Sequence, residues 1–172
     1  DTLRLRLPPE LPDPLFLQDG QRQVIEAGDS AKWLVITRQR LSPPSGAAPP
    51  SQLPDEAVRA LQSSLFVQSD HRRIRTLAES ITQNSLPDPM DIGRTIHDWV
   101  HDHMIPVDTN VRFKSALEVL DDLEGTCSEY TVLFLALSRA AGVPARVTVG
   151  YIVDKDGRLV LHIWPQIYVG YW

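Results

Sequence analysis

Apolar side chains change their spacing several times along this chain, and each change predicts a different element. Leu3, Leu5 and Leu7 alternate with polar residues, and Trp33-Leu34-Val35-Ile36-Thr37 is a β-rich run, with Asp19-Gly20 and Gly28-Asp29 as turn signals between them. Residues 1–41 therefore read as a β-rich accessory segment. From Ser42 to Pro54 there are five prolines and one glycine with almost no apolar bulk, which disfavours helix and sheet and predicts a linker over 42–54. Helical spacing follows: Ile74, Leu77, Ala78 and Ile81 share a face, as do Ile92, Ile96, Trp99 and Val100, and then Ala116, Leu117, Leu120 and Leu123. Three amphipathic helices are thus expected before residue 126, opening a main unit over 55–172.

Beyond Thr126 the pattern sharpens. Tyr130 to Ala141 is apolar on nearly all sides, a buried helix that stops at Gly142 with Pro144 two residues on. A hairpin is predicted next, Val147 to Val153 and Leu159 to Val169. A two-residue Asp156-Gly157 loop would pair Lys155 with Arg158 and, counting outward, Tyr151 with His162. Pro165 confines the second strand to an edge or an irregularity. The succession of elements is that of an α+β protein.

Composition narrows the class. With 42% hydrophobic residues the chain folds rather than remaining disordered, and 17 basic against 22 acidic side chains leave a formal charge of -5 with no basic run to neutralise phosphates. Nucleic acid is not an expected partner. The longest predominantly apolar stretch, Tyr130 to Leu137, is far shorter than the ~20 residues of a membrane-spanning helix, and no signal peptide opens the chain. The start at Asp1 rather than Met hints at residues upstream, so an extracytoplasmic domain or the soluble part of a membrane-anchored parent is admitted.

The single cysteine cannot form an intramolecular disulfide; Cys127 is either a packed apolar side chain or a reactive thiol. Composition favours the first, and its position brings the second level with it. Thr126-Cys127-Ser128-Glu129 fits a capping box, which sets Cys127 at the first helical position, where unpaired N–H groups and the helix dipole stabilise negative charge on sulfur or on an oxyanion. His162, flanked on its strand face by Val160 and Trp164, is either a half-buried bonded histidine or a proton relay. A second constellation competes. His97-Asp98-Trp99-Val100-His101 places two imidazoles at i and i+4, the spacing of a zinc helix, with aspartate where metalloproteases carry glutamate. Both histidines fall on the polar face with Arg94, Asp98 and Asp102 and lack a third recognisable ligand, so a solvated face is the preferred reading and no metal is assigned.

Several separated motifs agree in order and spacing: Gly125-Thr-Cys127-Ser-Glu129, then Leu137-Ser-Arg139-Ala-Ala-Gly142-Val-Pro144-Ala-Arg146, Gly150-Tyr151, His162-Ile-Trp164, Ile167-Tyr-Val169 and Trp172. Together with Ile96-His-Asp-Trp-Val100 and Ser115-Ala-Leu-Glu-Val-Leu120 they resemble the core of the transglutaminase-like superfamily over residues 70–172. That resemblance implies a papain-like core in which a helix carrying the nucleophile Cys127 packs on an antiparallel sheet carrying His162 and then an aspartate. The aspartate is expected a few residues beyond Trp172, where this sequence ends in an apolar run that reads as the end of a fragment. Without it a triad enzyme loses orders of magnitude in rate. Thr126 stands where relatives often carry aspartate, and Gln166 where they often carry glutamate. Arg139 and Arg146 are read as fixing the helix-to-strand corner rather than as substrate clamps. Tyr151 and Trp164 are expected near the thiol, lining the acyl pocket or covering the core.

The reaction expected from these residues is thiol acyl transfer at amide bonds of a protein or peptide, without cofactor. Water as acceptor makes a cysteine peptidase or amidase, the preferred outcome in the absence of a calcium motif; a lysine amine makes a transglutaminase. The alternatives are a non-catalytic binding module of the same fold and a zinc hydrolase using His97 and His101.

Overall fold

The computed structural model describes residues 2–7, 23–28, 31–37, 53–108 and 112–172. The chain divides into two compact units, Asp1–Ser45 and Gly46–Trp172. Of the stretch expected to be a linker, 42–54, only Leu53 and Pro54 fall among the described residues.

The described residues of the first unit form a three-stranded antiparallel sheet of order β1-β3-β2, with β1 at Thr2–Arg6, β2 at Gln23–Ala27 and β3 at Lys32–Thr37. The period-two pattern sets the register: Leu5 and Ile25 flank Leu34 from either side, and Leu34 and Leu7 are buried.

The second unit is built around one helix. α1 (Asp55–Arg59), α2 (Arg72–Thr82), α3 (Pro89–His103) and α4 (Ala116–Asp122) lead to α5 (Cys127–Ala140), and the β6–β7 hairpin (Ala145–Val153 and Leu159–Ile167) follows. Among the described residues four helices, not three, precede the cysteine. α1 is a single turn, too short to show a period. α5 is central: Thr131 to Ser138 are all buried, with α2, α3 and α4 against it and β7 also packed on it. Ile74, Ile96, Val119, Leu133 and Leu137 form the middle of that core with no exposed surface. Fully burying side chains of this size contributes about 1.5–3 kcal/mol each before entropy is subtracted.

Two small devices hold α5 in place. Between α3 and α4 the chain returns so that β4 (Ile105–Pro106) pairs in parallel with β5 (Glu124–Gly125), tying the end of α3 to the residues just before the cysteine. At the other end α5 closes in a Schellman turn: Val143 N donates to Ser138 O at 2.9 Å, and Gly142 takes φ +80°. Arg139 and Arg146 serve this corner, as expected. Arg139 donates to the carbonyls of Ala145 (3.0 Å) and Gln62 (2.7 Å), and Arg146 donates to Gln166 Oε1 (3.0 Å) beneath the Trp172 ring.

The hairpin differs by one residue from its sequence expectation. Gly150, not Tyr151, lies opposite His162, and pairing begins at Val153 and Leu159 across a five-residue connection. The cause is Asp154. Its carboxylate accepts the N–H groups of Asp156 (2.9 Å) and Arg158 (2.8 Å), while its own backbone N–H donates to Arg158 O, so the turn starts earlier. Gly157 adopts φ +78°, the left-handed conformation of a bulge after such a turn. One residue of register exchanges the two faces.

Candidate functional site

Cys127 begins α5 because the residue before it is capped from inside the protein. The Glu129 carboxylate, 1% exposed, accepts the backbone N–H and the hydroxyl of Thr126, both at 2.9 Å, and the Lys114 N–H at 3.4 Å. Gly125 makes room for it: a Cβ there would collide with Glu129 Cβ. The Gly-Thr-Cys-Ser-Glu motif is thus a geometric unit, in which glycine admits the glutamate, the glutamate holds the threonine, and the cysteine sits in the first turn half-exposed.

A cleft of about 260 Å³ opens beside it. Cys127, Tyr130, Thr131 and Phe134 supply one wall from α5, His162 to Pro165 supply another from β7, and His97, Val100 and His101 approach from α3. The α5 residues follow helical spacing i, i+3, i+4, i+7 from the cysteine, a signal present in the sequence that identifies Tyr130, Thr131 and Phe134 once the helix is accepted.

The structure brings together Cys127, His162 and Trp164 at this cleft and does not bring Tyr151 there. His162 and Trp164 project from the same strand face, with ring centroids 6.0 Å apart and planes inclined by 23°. Tyr151 opposes Leu161 on the other face and is 56% exposed, in a patch with Val147, Val149 and Leu161. The displaced turn removed it from the expected place. Gly150 occupies the position across from His162, and the Trp164 ring lies against it.

Tyr130 fastens the cleft to α3 by donating its hydroxyl to the Met104 carbonyl at 2.8 Å. Burial pushes its phenol above the ordinary value, which keeps it a neutral donor. Among the described residues no carboxylate hydrogen-bonds to His162.

His97 and His101 stand at the cleft, a location their polar helix face did not reveal. Each ring bonds through Nδ1 to the carboxylate that follows it, Asp98 at 2.9 Å and Asp102 at 3.1 Å, and the two rings stack with centroids 6.2 Å apart. Among the described residues no group of three or more His, Cys, Asp or Glu side chains is arranged to hold a metal, so the zinc reading lacks a ligand set there. No described helix is long and apolar enough to cross a membrane.

Comparison with solved structures finds the same fold elsewhere. A candidate cysteine protease from Cytophaga hutchinsonii is similar with a TM-score of 0.63 and 19% identity, over 99% of this chain and 62% of the other. The periplasmic domain of TgpA from Pseudomonas aeruginosa is similar with a TM-score of 0.50 and 22% identity, over 68% of this chain and 44% of the other. The chain therefore spans less than two thirds of either relative. No curated protein matches it. The family model of the transglutaminase-like superfamily matches residues 75–172, the stretch from α2 through the end of the hairpin that builds the core and the cleft. The helix-borne cysteine and strand-borne histidine thus stand in the frame of that family, and the chain belongs to the transglutaminase-like superfamily.

Proposed function

We propose that this domain performs thiol acyl transfer at amide bonds, with Cys127 as nucleophile and His162 as its acid and base. The observation that carries this reading is that the cysteine at the start of α5 and the histidine of β7 line one cleft. Cys127 passes its thiol proton to His162, and its sulfur attacks the amide carbonyl carbon. First-turn backbone N–H groups, the cysteine's own among them, stabilise the oxygen as it becomes negative. His162 gives its proton to the leaving amine or ammonia, and a thioester to Cys127 remains. His162 then takes a proton from the acceptor that releases the acyl group.

The cleft wall of Tyr130, Phe134, Trp164 and Pro165 suits the side chain of a protein or peptide substrate. Water is the acceptor in the preferred reading, making the domain a cysteine peptidase or amidase. The periplasmic setting of the TgpA domain supports an extracytoplasmic location.

The test has two parts. Iodoacetamide should alkylate Cys127 faster in the folded wild type than in urea-unfolded protein, and His162→Ala should remove most of that advantage. Equal rates in all three samples would end the catalytic reading and leave a binding module of the same fold. Glutamine-containing peptides then separate hydrolysis, read as released ammonia or new termini, from transfer, read as incorporation of a labelled primary amine.

A further inference from the structure

The separation of Cys127 from His162 depends on how α5 sits against β7, and among the described residues one side-chain hydrogen bond joins these two elements. Thr131 Oγ1 donates to the Ile163 carbonyl at 3.3 Å. Its location is specific. Thr131 stands one turn beyond Cys127 on the same helix face, and Ile163 directly follows His162 in β7.

Thr131 is 2% exposed, so water is not a ready substitute partner for its hydroxyl. A threonine inside a helix ordinarily returns its hydroxyl to the carbonyl four residues back. Thr82 does so in α2 and Thr95 in α3, with bonds to Ala78 O (2.8 Å) and Asp91 O (3.0 Å). Thr131 instead reaches out of its helix to the strand. The apolar volume of the side chain would be met equally well by valine; what threonine adds is this cross-element bond.

We propose that Thr131 is a positioning residue that fixes the Cys127–His162 geometry through the Ile163 carbonyl. It takes no proton and forms no covalent bond in the reaction. This rests on the reading of Cys127 and His162 as a working pair, and the experiment separates the two claims. Thr131 lies on the wall of the same cleft, so loss of its bond lets β7 shift along α5 where the histidine and sulfur must meet.

The experiment measures the rate of Cys127 alkylation by iodoacetamide from about pH 5 to about pH 9, across the range in which thiols and imidazoles titrate. Wild type, His162→Ala, Thr131→Val, Thr131→Ser and the double variant Thr131→Val/His162→Ala are compared, with thermal midpoints recorded for each. Thr131→Val is expected to slow the acidic limb about 3- to 10-fold, shifting the profile toward that of His162→Ala, within the loss a sub-ångström misplacement produces. Thr131→Ser should restore the rate to within about twofold, and the double variant should be no slower than His162→Ala alone.

A wild-type profile for Thr131→Val, or equal slowing in Thr131→Ser, overturns the positioning role while leaving the Cys-His pair intact. Additive slowing in the double variant does the same, because it shows an effect independent of the histidine. An unchanged profile in His162→Ala removes the pair itself and this proposal with it. If Thr131→Val does not fold, Thr131→Ala replaces it in the same cycle.

Discussion

Gly150 lies directly across the hairpin from His162, and a Cβ on Gly150 would stand 2.7 Å from Cη2 of Trp164. The absence of a side chain at one strand position therefore allows the indole to lie against the backbone beside the histidine. Gly150→Ala must push a ring held at the cleft wall, and overpacking of this kind costs about 1–3 kcal/mol. Alanine favours a strand more than glycine does, so a loss rather than a gain in urea-denaturation stability identifies the contact. A variant as stable as wild type, with unchanged tryptophan fluorescence, would show that the ring moves aside freely.

Glu129 ties the chain before the cysteine to α5. Glu129→Ala removes the acceptor of Thr126 N–H and hydroxyl, leaving donors in a half-buried place without that partner. Each such group costs about 1–3 kcal/mol, so a total loss of about 2 kcal/mol or more is expected in urea denaturation. Cys127 alkylation should also lose its folded-state advantage. Retained stability would mean that another group caps the helix.

The hairpin register should depend on Gly157. Nothing lies within 4 Å of a Cβ built there, yet its φ of +78° is costly for other residues. Gly157→Ala should destabilise the domain by about 1 kcal/mol, and Gly157→Asn by less, since asparagine tolerates the left-handed region. Equal effects of the two would show that the left-handed backbone conformation is not the source of the loss.

The capping box of α4 makes stability depend on acid. Glu118 is held down to about 2 first by the Ser115 backbone N–H and then by Arg112 and the Ser115 side chain. Because its folded value lies below its unfolded one, its contribution is present above about pH 4.5 and is lost as pH falls toward about 2. Asp70, bonded by Ser63, and Asp122, bonded by Lys114, are lowered too and act in the same direction. The urea midpoint should therefore fall through this window, and less steeply in Glu118→Gln. Parallel slopes for the variant and wild type would remove Glu118 from the account.

The central helix shows how closely packed the core is. Leu137 has no exposed surface, and Leu137→Ala should cost about 2–5 kcal/mol, measured from denaturant midpoints at unchanged slope. A loss under about 1 kcal/mol would mean that α5 is less central than its burial indicates.

Much of this was legible before the structure. The period of Ile74, Ile92 and Ala116 with their neighbours fixes α2, α3 and α4, because one apolar face in 3.6 residues has few other ways to be buried. The spacing of Thr126 and Glu129 likewise sets Cys127 at a helix start, since capping is a local interaction between residues three apart. The separated motifs from Ile96 to Trp172 also carried the family.

Tertiary structure decided what depends on direction and register. A side-chain bond from Asp154 moved the turn by one residue, which sent Tyr151 to the outer face and set Gly150 opposite His162. His97 and His101, polar-face residues by periodicity, came to the cleft because the packing of α3 against α5 sets which edge of that face looks over the cysteine. Thr131 and Ile163 are 32 residues apart and have no pattern that connects them. Local spacing records what a residue's own element requires; which elements meet, and with which edge, follows from packing the whole core at once.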